Sequence, residues 1–195
     1  MKVAVIKYNA GNIQSVLFAL QRLGVDPVWT DDPAVIKAAD KVIFPGQGEA
    51  SNAMKYLRDR KLDEVILSLK QPVLGICIGL QLLCKHSTEG NTTCLGVFDE
   101  EVIRFGAGLK VPHIGWNTLE NMEGPLFEGL KSPAYLYYVH SYYAKKGRET
   151  AATTNYMVDF SAVLHKDNFY AVQAHPEKSG KDGEQILKNF LSLIS

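Results

Sequence analysis

Two small groups of side chains in this sequence are suited to chemistry. One is a thiol between glycines, Gly75-Ile76-Cys77-Ile78-Gly79; the other is an imidazole two residues before a carboxylate, His175-Pro176-Glu177. The thiol follows a short apolar run, Pro72-Val73-Leu74, and leads directly into a helix-forming segment. That is the pattern of a nucleophile elbow, a strand-to-helix turn so tight that glycine is needed on either side of the reactive residue. The helix that follows turns its positive end toward the sulfur, which suits a nucleophile.

A nucleophilic cysteine needs a base, and the base needs an orienting group. Phe169-Tyr170-Ala171-Val172-Gln173-Ala174 reads as a buried strand with His175 and Glu177 at its end. In extended backbone, residues i and i+2 project to the same side, and Pro176 between them restricts φ. His175 is thereby able to face Cys77 with one ring nitrogen while Glu177 accepts from the other, setting the tautomer and stabilising the imidazolium. His113 and His140 lack a carboxylate two residues away and rank below His175; His86 and His165 show no functional context.

These groups are far apart along the chain, so a defined scaffold must bring them together. A strand–helix alternation fills the first half. Strands are expected at 3–7, 26–30, 41–44 and 73–76, and helices at 12–23, 33–39, 51–58, 61–70 and 78–86. Asn12 or Ser15 is the expected cap of the first helix and Gly24 its terminator. The second half shifts to short strands at 94–105, 111–119, 134–143, 150–158, 161–165 and 169–174, then a helix at 182–194 with Ile186, Leu187, Phe190, Leu191 and Ile194 at helical spacing. The pattern predicts a three-layer α/β fold: a mainly parallel central sheet, flanking helices and an antiparallel edge region. With no linker or repeat, residues 1–195 are expected to form one domain.

The 195 residues carry a formal net charge of zero, 46% hydrophobic and 22% charged residues, as in ordinary globular proteins. No basic block points to nucleic acid, and no apolar run reaches membrane-spanning length. Met1 to Lys7 reads as a first strand and not as a signal peptide. Cysteines 77, 84 and 94 are irregularly spaced and make no metal pattern; they suit reduced thiols in a cytoplasm. Cys84 is expected to pack and Cys94 to be inert.

Gly75-Ile76-Cys77-Ile78-Gly79-Leu80-Gln81, His175-Pro176-Glu177 and Pro45-Gly46-Gln47-Gly48 together resemble the class I (triad) glutamine amidotransferases, whose core is flavodoxin-like. Tyr8-Asn9-Ala10-Gly11-Asn12, Val111-Pro112-His113-Ile114-Gly115-Trp116-Asn117, Tyr138-Val139-His140-Ser141-Tyr142-Tyr143 and His175-Pro176-Glu177-Lys178-Ser179 narrow the resemblance to the glutaminase subunits of imidazole glycerol phosphate synthase. The resemblance implies hydrolysis of L-glutamine through a Cys77 thioester, with His175 moving protons and Glu177 orienting it. It implies delivery of ammonia to a (β/α)8-barrel cyclase subunit in a heterodimer, and no cofactor or metal. The oxyanion donors are expected to be the Ile78 N–H, as elbow chemistry requires, and the Gly48 N–H of the 45–48 loop, with Gly46 beside the substrate. A peptide flip in that loop would act as a control, and Gln47, where the family often has valine, bears on how easily it flips. Gln81, Glu89, His140, Ser141 and Tyr142 match glutamine-recognition positions. Taken alone, Gln81 reads as a helix-surface amide and Glu89 as a solvated turn charge. Asn12, Trp116, Tyr138 and Lys178 match partner-facing positions, although such aromatics also suit a domain core. The competing expectations are a related cysteine hydrolase and a catalytically silent activating subunit.

Overall fold

The computed structural model describes residues 1–9, 11 and 13–194. Five parallel strands form its centre: β1 (Val3–Ile6), β2 (Val28–Thr30), β3 (Lys41–Phe44), β4 (Val73–Ile76) and, from the far end of the sequence, β13 (Phe169–Val172). Between β4 and β13 the chain adds β5 (His86–Ser87), β6 (Thr92–Thr93), β7 (Glu101–Arg104), β8 (His113–Leu119), β9 (Ala134–His140), β10 (Tyr142–Ala144), β11 (Thr150–Tyr156) and β12 (Val158–Lys166). The main sheet runs β2-β1-β3-β4-β13-β12-β10-β7-β5-β6, with β11 hydrogen-bonded to β12, while β8 and β9 form a separate hairpin. Pairing is parallel from β2 to β13 and antiparallel from β13 through β12 and β10 to β7. This matches the expected parallel sheet with an antiparallel edge region.

Helices cover both faces: α1 (Gln14–Arg22), α2 (Pro33–Lys37), α3 (Ala50–Asp59), α4 (Leu62–Ser68), α5 (Ile78–Leu83) and α6 (Gly180–Ser192). Successive strand residues point to opposite faces, and β3 shows the result. Val42 and Phe44 pack with Met54 and Leu57 of α3, Leu62 and Ile66 of α4, and Leu80 and Leu83 of α5. Ile43 faces the other core, with Val16 and Leu20 of α1, Ile186, Leu187 and Phe190 of α6, and Leu136 and Tyr138 of β9.

Several boundaries differ from expectation, each for a backbone reason. The helix expected over 78–86 stops at Leu83, because Cys84 O accepts from Gly96 N at 2.9 Å and Lys85 N donates to Glu100 O at 3.1 Å. The expected strand 94–105 is regular only at Glu101–Arg104; the earlier part wraps this helix end. Strand β11 stops two residues short of the expected 158, β12 extends beyond the expected 161–165 at both ends, and the two meet at Met157, whose φ of 63° makes the turn. Ser15 does not cap α1: the helix begins at Gln14, so Ser15 lies within its first turn. Asn12 lies outside the described residues. Gly24 does end the helix, at φ 77°.

Candidate active site

Strands β4 and β13 are parallel neighbours, with Ile76 opposite Val172. A chain leaving both strands at their C-terminal ends delivers the next residues to one edge of the sheet, where open α/β sheets bind ligands. Cys77 follows β4 immediately and its N–H donates to Val172 O at 2.8 Å. Its φ of 53° and ψ of −106° form the sharp elbow into α5. Gly75 and Gly79 make the elbow possible: a Cβ on Gly79 would collide with the Phe44 carbonyl of β3, and one on Gly75 would lie 2.9 Å from the Gly79 carbonyl carbon. Cys77 as a whole is only 7% exposed.

His175 Nδ1 lies 2.8 Å from Glu177 Oε1, and both side chains are almost entirely buried. The expected i, i+2 contact therefore forms, in a 3-10 turn (Pro176–Lys178) and not in extended backbone. His175 Nε2 makes no hydrogen bond within strict geometry among the described residues. The Cys77 thiol is nonetheless close enough to act on the ring. Burial opposes the imidazolium, but Cys77 and Glu177 outweigh it, and the histidine is pushed up to about 10. Burial raises the Cys84 thiol, and it raises the Cys94 thiol to about 11.

A pocket of about 370 Å³ opens at the thiol, lined by Gln47, Gly48, Cys77, Ile78, Gln81, Glu89, Pro112, Val139, His140, Ser141 and Tyr142. It gathers the expected Gly48, Ile78, Gln81, Glu89, His140, Ser141 and Tyr142 on one surface. Ile78 is the first residue of α5, so its N–H has no intrahelical acceptor. Gly46 departs from expectation: it is not part of this lining. It packs beneath, where a Cβ would collide with the Tyr8 hydroxyl and come within 2.5 Å of Ile78 Cγ2. Gln81 is 4% exposed and not a surface amide. Its Nε2 donates to Tyr142 O at 2.9 Å and to Gln173 Oε1 at 3.2 Å. Glu89 is half-buried, and its Oε2 accepts from Ala50 N at 2.8 Å at the start of α3. Burial raises the Glu89 pKa, partly opposed by that hydrogen bond.

Sequence reasoning gave no role to two further residues. Gln173 is fully buried, and its Nε2 lies 3.7 Å from Cys77 Sγ. Ser179 Oγ donates to His175 O at 2.6 Å and accepts from Tyr137 N at 2.9 Å, strapping the triad turn to β9. The signal for Gln173 was an amide two residues before the histidine, on a strand otherwise apolar. Ser179 entered only as the last residue of the His175–Ser179 stretch in the resemblance, with no role attached.

Of the residues matched to partner-facing positions, Trp116 is 58% exposed, beside Ile114 and Tyr135 on the β8–β9 hairpin. Lys178 is half-buried, next to the triad. Tyr138 is a correction: it is fully buried, donates to or accepts from Thr154 Oγ1 at 2.7 Å, and stacks on His113. Its strand position points it into the core. Among the described residues, no group of His, Cys, Asp and Glu is arranged to hold a metal, and no helix is long and apolar enough to cross a membrane.

A buried cysteine elbow beside an imidazole–carboxylate pair, at the C-terminal edge of a parallel sheet, is the arrangement of a cysteine-dependent amide hydrolase. The family model described as glutamine amidotransferase class-I matches residues 4–193, and the chain belongs to that family. It is 58% identical to the imidazole glycerol phosphate synthase subunit HisH of Bacteroides fragilis, over 99% of this chain and 100% of that one. It is 46% identical to the HisH subunit of Yersinia pseudotuberculosis, with the same coverage of both chains. Among solved structures, a glutamine amidotransferase superposes with a TM-score of 0.76 at 20% identity, covering 97% of this chain and 96% of that one. The structure of PurLQS from Thermotoga maritima gives 0.73 at 15% identity, covering 97% of each chain. These two likenesses concern the fold.

Proposed function

We propose that this chain is the glutamine-hydrolysing subunit of an imidazole glycerol phosphate synthase. It would pass ammonia to a (β/α)8-barrel cyclase subunit, its heterodimer partner, in histidine biosynthesis. Full-length identity of 58% to a HisH subunit supports the assignment, and residues 1–195 read as one glutaminase domain. The observation that carries the chemistry is the His175–Glu177 pair, with Nε2 unpaired beside the Cys77 thiol. The pathway and three free, buried cysteines suit the cytoplasm.

His175 takes the proton that the nucleophile must shed. Cys77 Sγ attacks the side-chain amide carbon of glutamine, and the oxyanion is met by the N–H groups of Ile78 and Gly48. His175 then protonates the departing nitrogen, ammonia leaves, and a γ-glutamyl thioester remains on Cys77. The imidazole, now neutral, takes a proton from water as it adds to the thioester. Glutamate departs and the proton returns to the Cys77–His175 pair. Glu177 holds the ring throughout. Glu89, Gln81 and the His140-Ser141-Tyr142 wall bind the amino-acid end of the substrate, and Trp116 with Lys178 faces the partner.

The test is turnover with and without a cyclase subunit. Cys77→Ala is expected to abolish glutamine-dependent synthesis while the complex still uses added ammonia, and a diazoketone analogue of glutamine is expected to label Cys77 alone. Synthesis from glutamine by the Cys77→Ala complex would refute the assignment of the nucleophile.

A further inference from the structure

His113 and His140 are buried and lie directly opposite one another in the β8–β9 ladder, with His113 Nδ1 3.0 Å from His140 Nε2. The donors along this contact follow from their neighbours. His140 Nδ1 is 2.8 Å from the Tyr142 carbonyl, which can only accept, so that nitrogen carries the hydrogen. A neutral His140 then accepts at Nε2, and His113 must donate from Nδ1. His113 Nε2 is left as an acceptor and meets Asn117 Nδ2 at 3.3 Å. The Asn117 amide is itself oriented, its Oδ1 accepting from Thr118 N at 2.8 Å and its Nδ2 donating to Asn155 O at 2.9 Å. The hydrogen bonds therefore run one way, from Asn117 through both rings to the Tyr142 carbonyl. A second proton on His140 would set N–H against N–H. Burial lowers both rings, His113 to about 4 and His140 to about 3, in keeping with two neutral imidazoles.

The same Tyr142 carbonyl accepts from Gln81 Nε2, which continues to Gln173 and the Cys77 sulfur. His140, Gln81, Tyr142 and Cys77 line the pocket, whereas His113 does not. We propose that His113 is a positioning residue for glutamine binding: by donating to His140 Nε2 it holds the ring whose Nδ1–H the Tyr142 carbonyl fixes, so that His140 and Gln81 together hold that carbonyl and the pocket wall it belongs to. This rests on the reading of the pocket as the glutamine site.

His113→Phe keeps the ring stacked near Tyr138 and Tyr156 but removes both nitrogens. In the complex with the cyclase subunit it is expected to raise the KM for glutamine about tenfold, equivalent to about 1.4 kcal/mol, with kcat changed less than about twofold. Nitrogen-15 histidine spectra of the full chain are expected to show His140 as the Nδ1–H tautomer in the wild type, and its Nε2 resonance is expected to shift in the variant as the hydrogen bond from His113 is lost. Asn117→Asp supplies a carboxylate to His113 Nε2. His113 is then expected to become doubly protonated and still donate to His140, leaving the KM within about twofold of wild type. Should His113→Phe not fold, the wild-type tautomer and Asn117→Asp decide the matter. A wild-type His140 protonated at Nε2, a changed KM in Asn117→Asp with His140 unaltered, or a KM unchanged in His113→Phe overturns this proposal alone. Absence of glutamine turnover by the wild-type complex overturns the functional reading and this proposal with it.

Discussion

Cys77 holds a backbone conformation that non-glycine residues rarely adopt, φ 53° and ψ −106°, at a cost of about 1–3 kcal/mol. The surrounding sheet and helix maintain it, and the sulfur is presented at the pocket in return. At His175 the electrostatics carry a pH signature. Its folded-state pKa lies near 10, above the ordinary value of 6.5, so the folded protein binds this proton more tightly than the unfolded chain. The resulting stability is fully present below pH 6.5 and is lost as the pH rises through about 10. The difference in unfolding free energy between wild type and His175→Ala is expected to shrink across that window in denaturant titrations; a flat difference would contradict the assigned protonation. Glu177→Gln removes one of the groups that raise this pKa and is expected to narrow the window. It should lower glutamine turnover less than His175→Ala, whose loss of the proton carrier should cost about a hundred- to ten-thousand-fold.

At the level of elements, the site depends on how closely α5 and α6 approach backbone. Gly79 lets the first turn of α5 lie against the Phe44 carbonyl of β3, and Gly183 lets α6 lie against the Pro176 carbonyl in the triad turn. Gly79→Ala is expected to destabilise the fold by about 1–3 kcal/mol through overpacking, and to lower turnover further by shifting α5 against the 45–48 loop. Thermal melts together with turnover at saturating glutamine check this; an unchanged melting temperature would refute the close approach. The alternation of elements in the first half was legible because each strand is short, apolar and bounded by helix signals. The hairpin β11–β12 was less so: its turn at Met157 carries no glycine, so the sequence showed two strands without their true length.

For the molecule as a whole, the β8–β9 hairpin links a protein surface to the pocket. Its outer face exposes Ile114, Trp116 and Tyr135, while on the same strands His140 lines the pocket and His113 contacts His140 from behind. A Trp with 58% of its surface in solvent, packed edge-on against Tyr137, suits an interface anchor. Trp116→Ala is expected to weaken binding of the cyclase subunit by about 2 kcal/mol, roughly thirtyfold, with little change in melting temperature. Titration calorimetry measures the first and a thermal melt the second; unchanged affinity would move the interface elsewhere.

The sequence alone determined the chemistry and the class of fold. A glycine-flanked cysteine after an apolar run, and a histidine two residues before a glutamate, have local steric and electrostatic reasons that need no partner strand. Tertiary structure decided which distant groups meet. Only the parallel pairing of β4 with β13 brings Cys77 beside His175. Only packing buries Tyr138, hides Gln81 from solvent and aligns Asn117, His113 and His140. Burial and hydrogen-bond direction are properties of a residue's neighbours in space, and those neighbours come from strands that the order of residues does not pair.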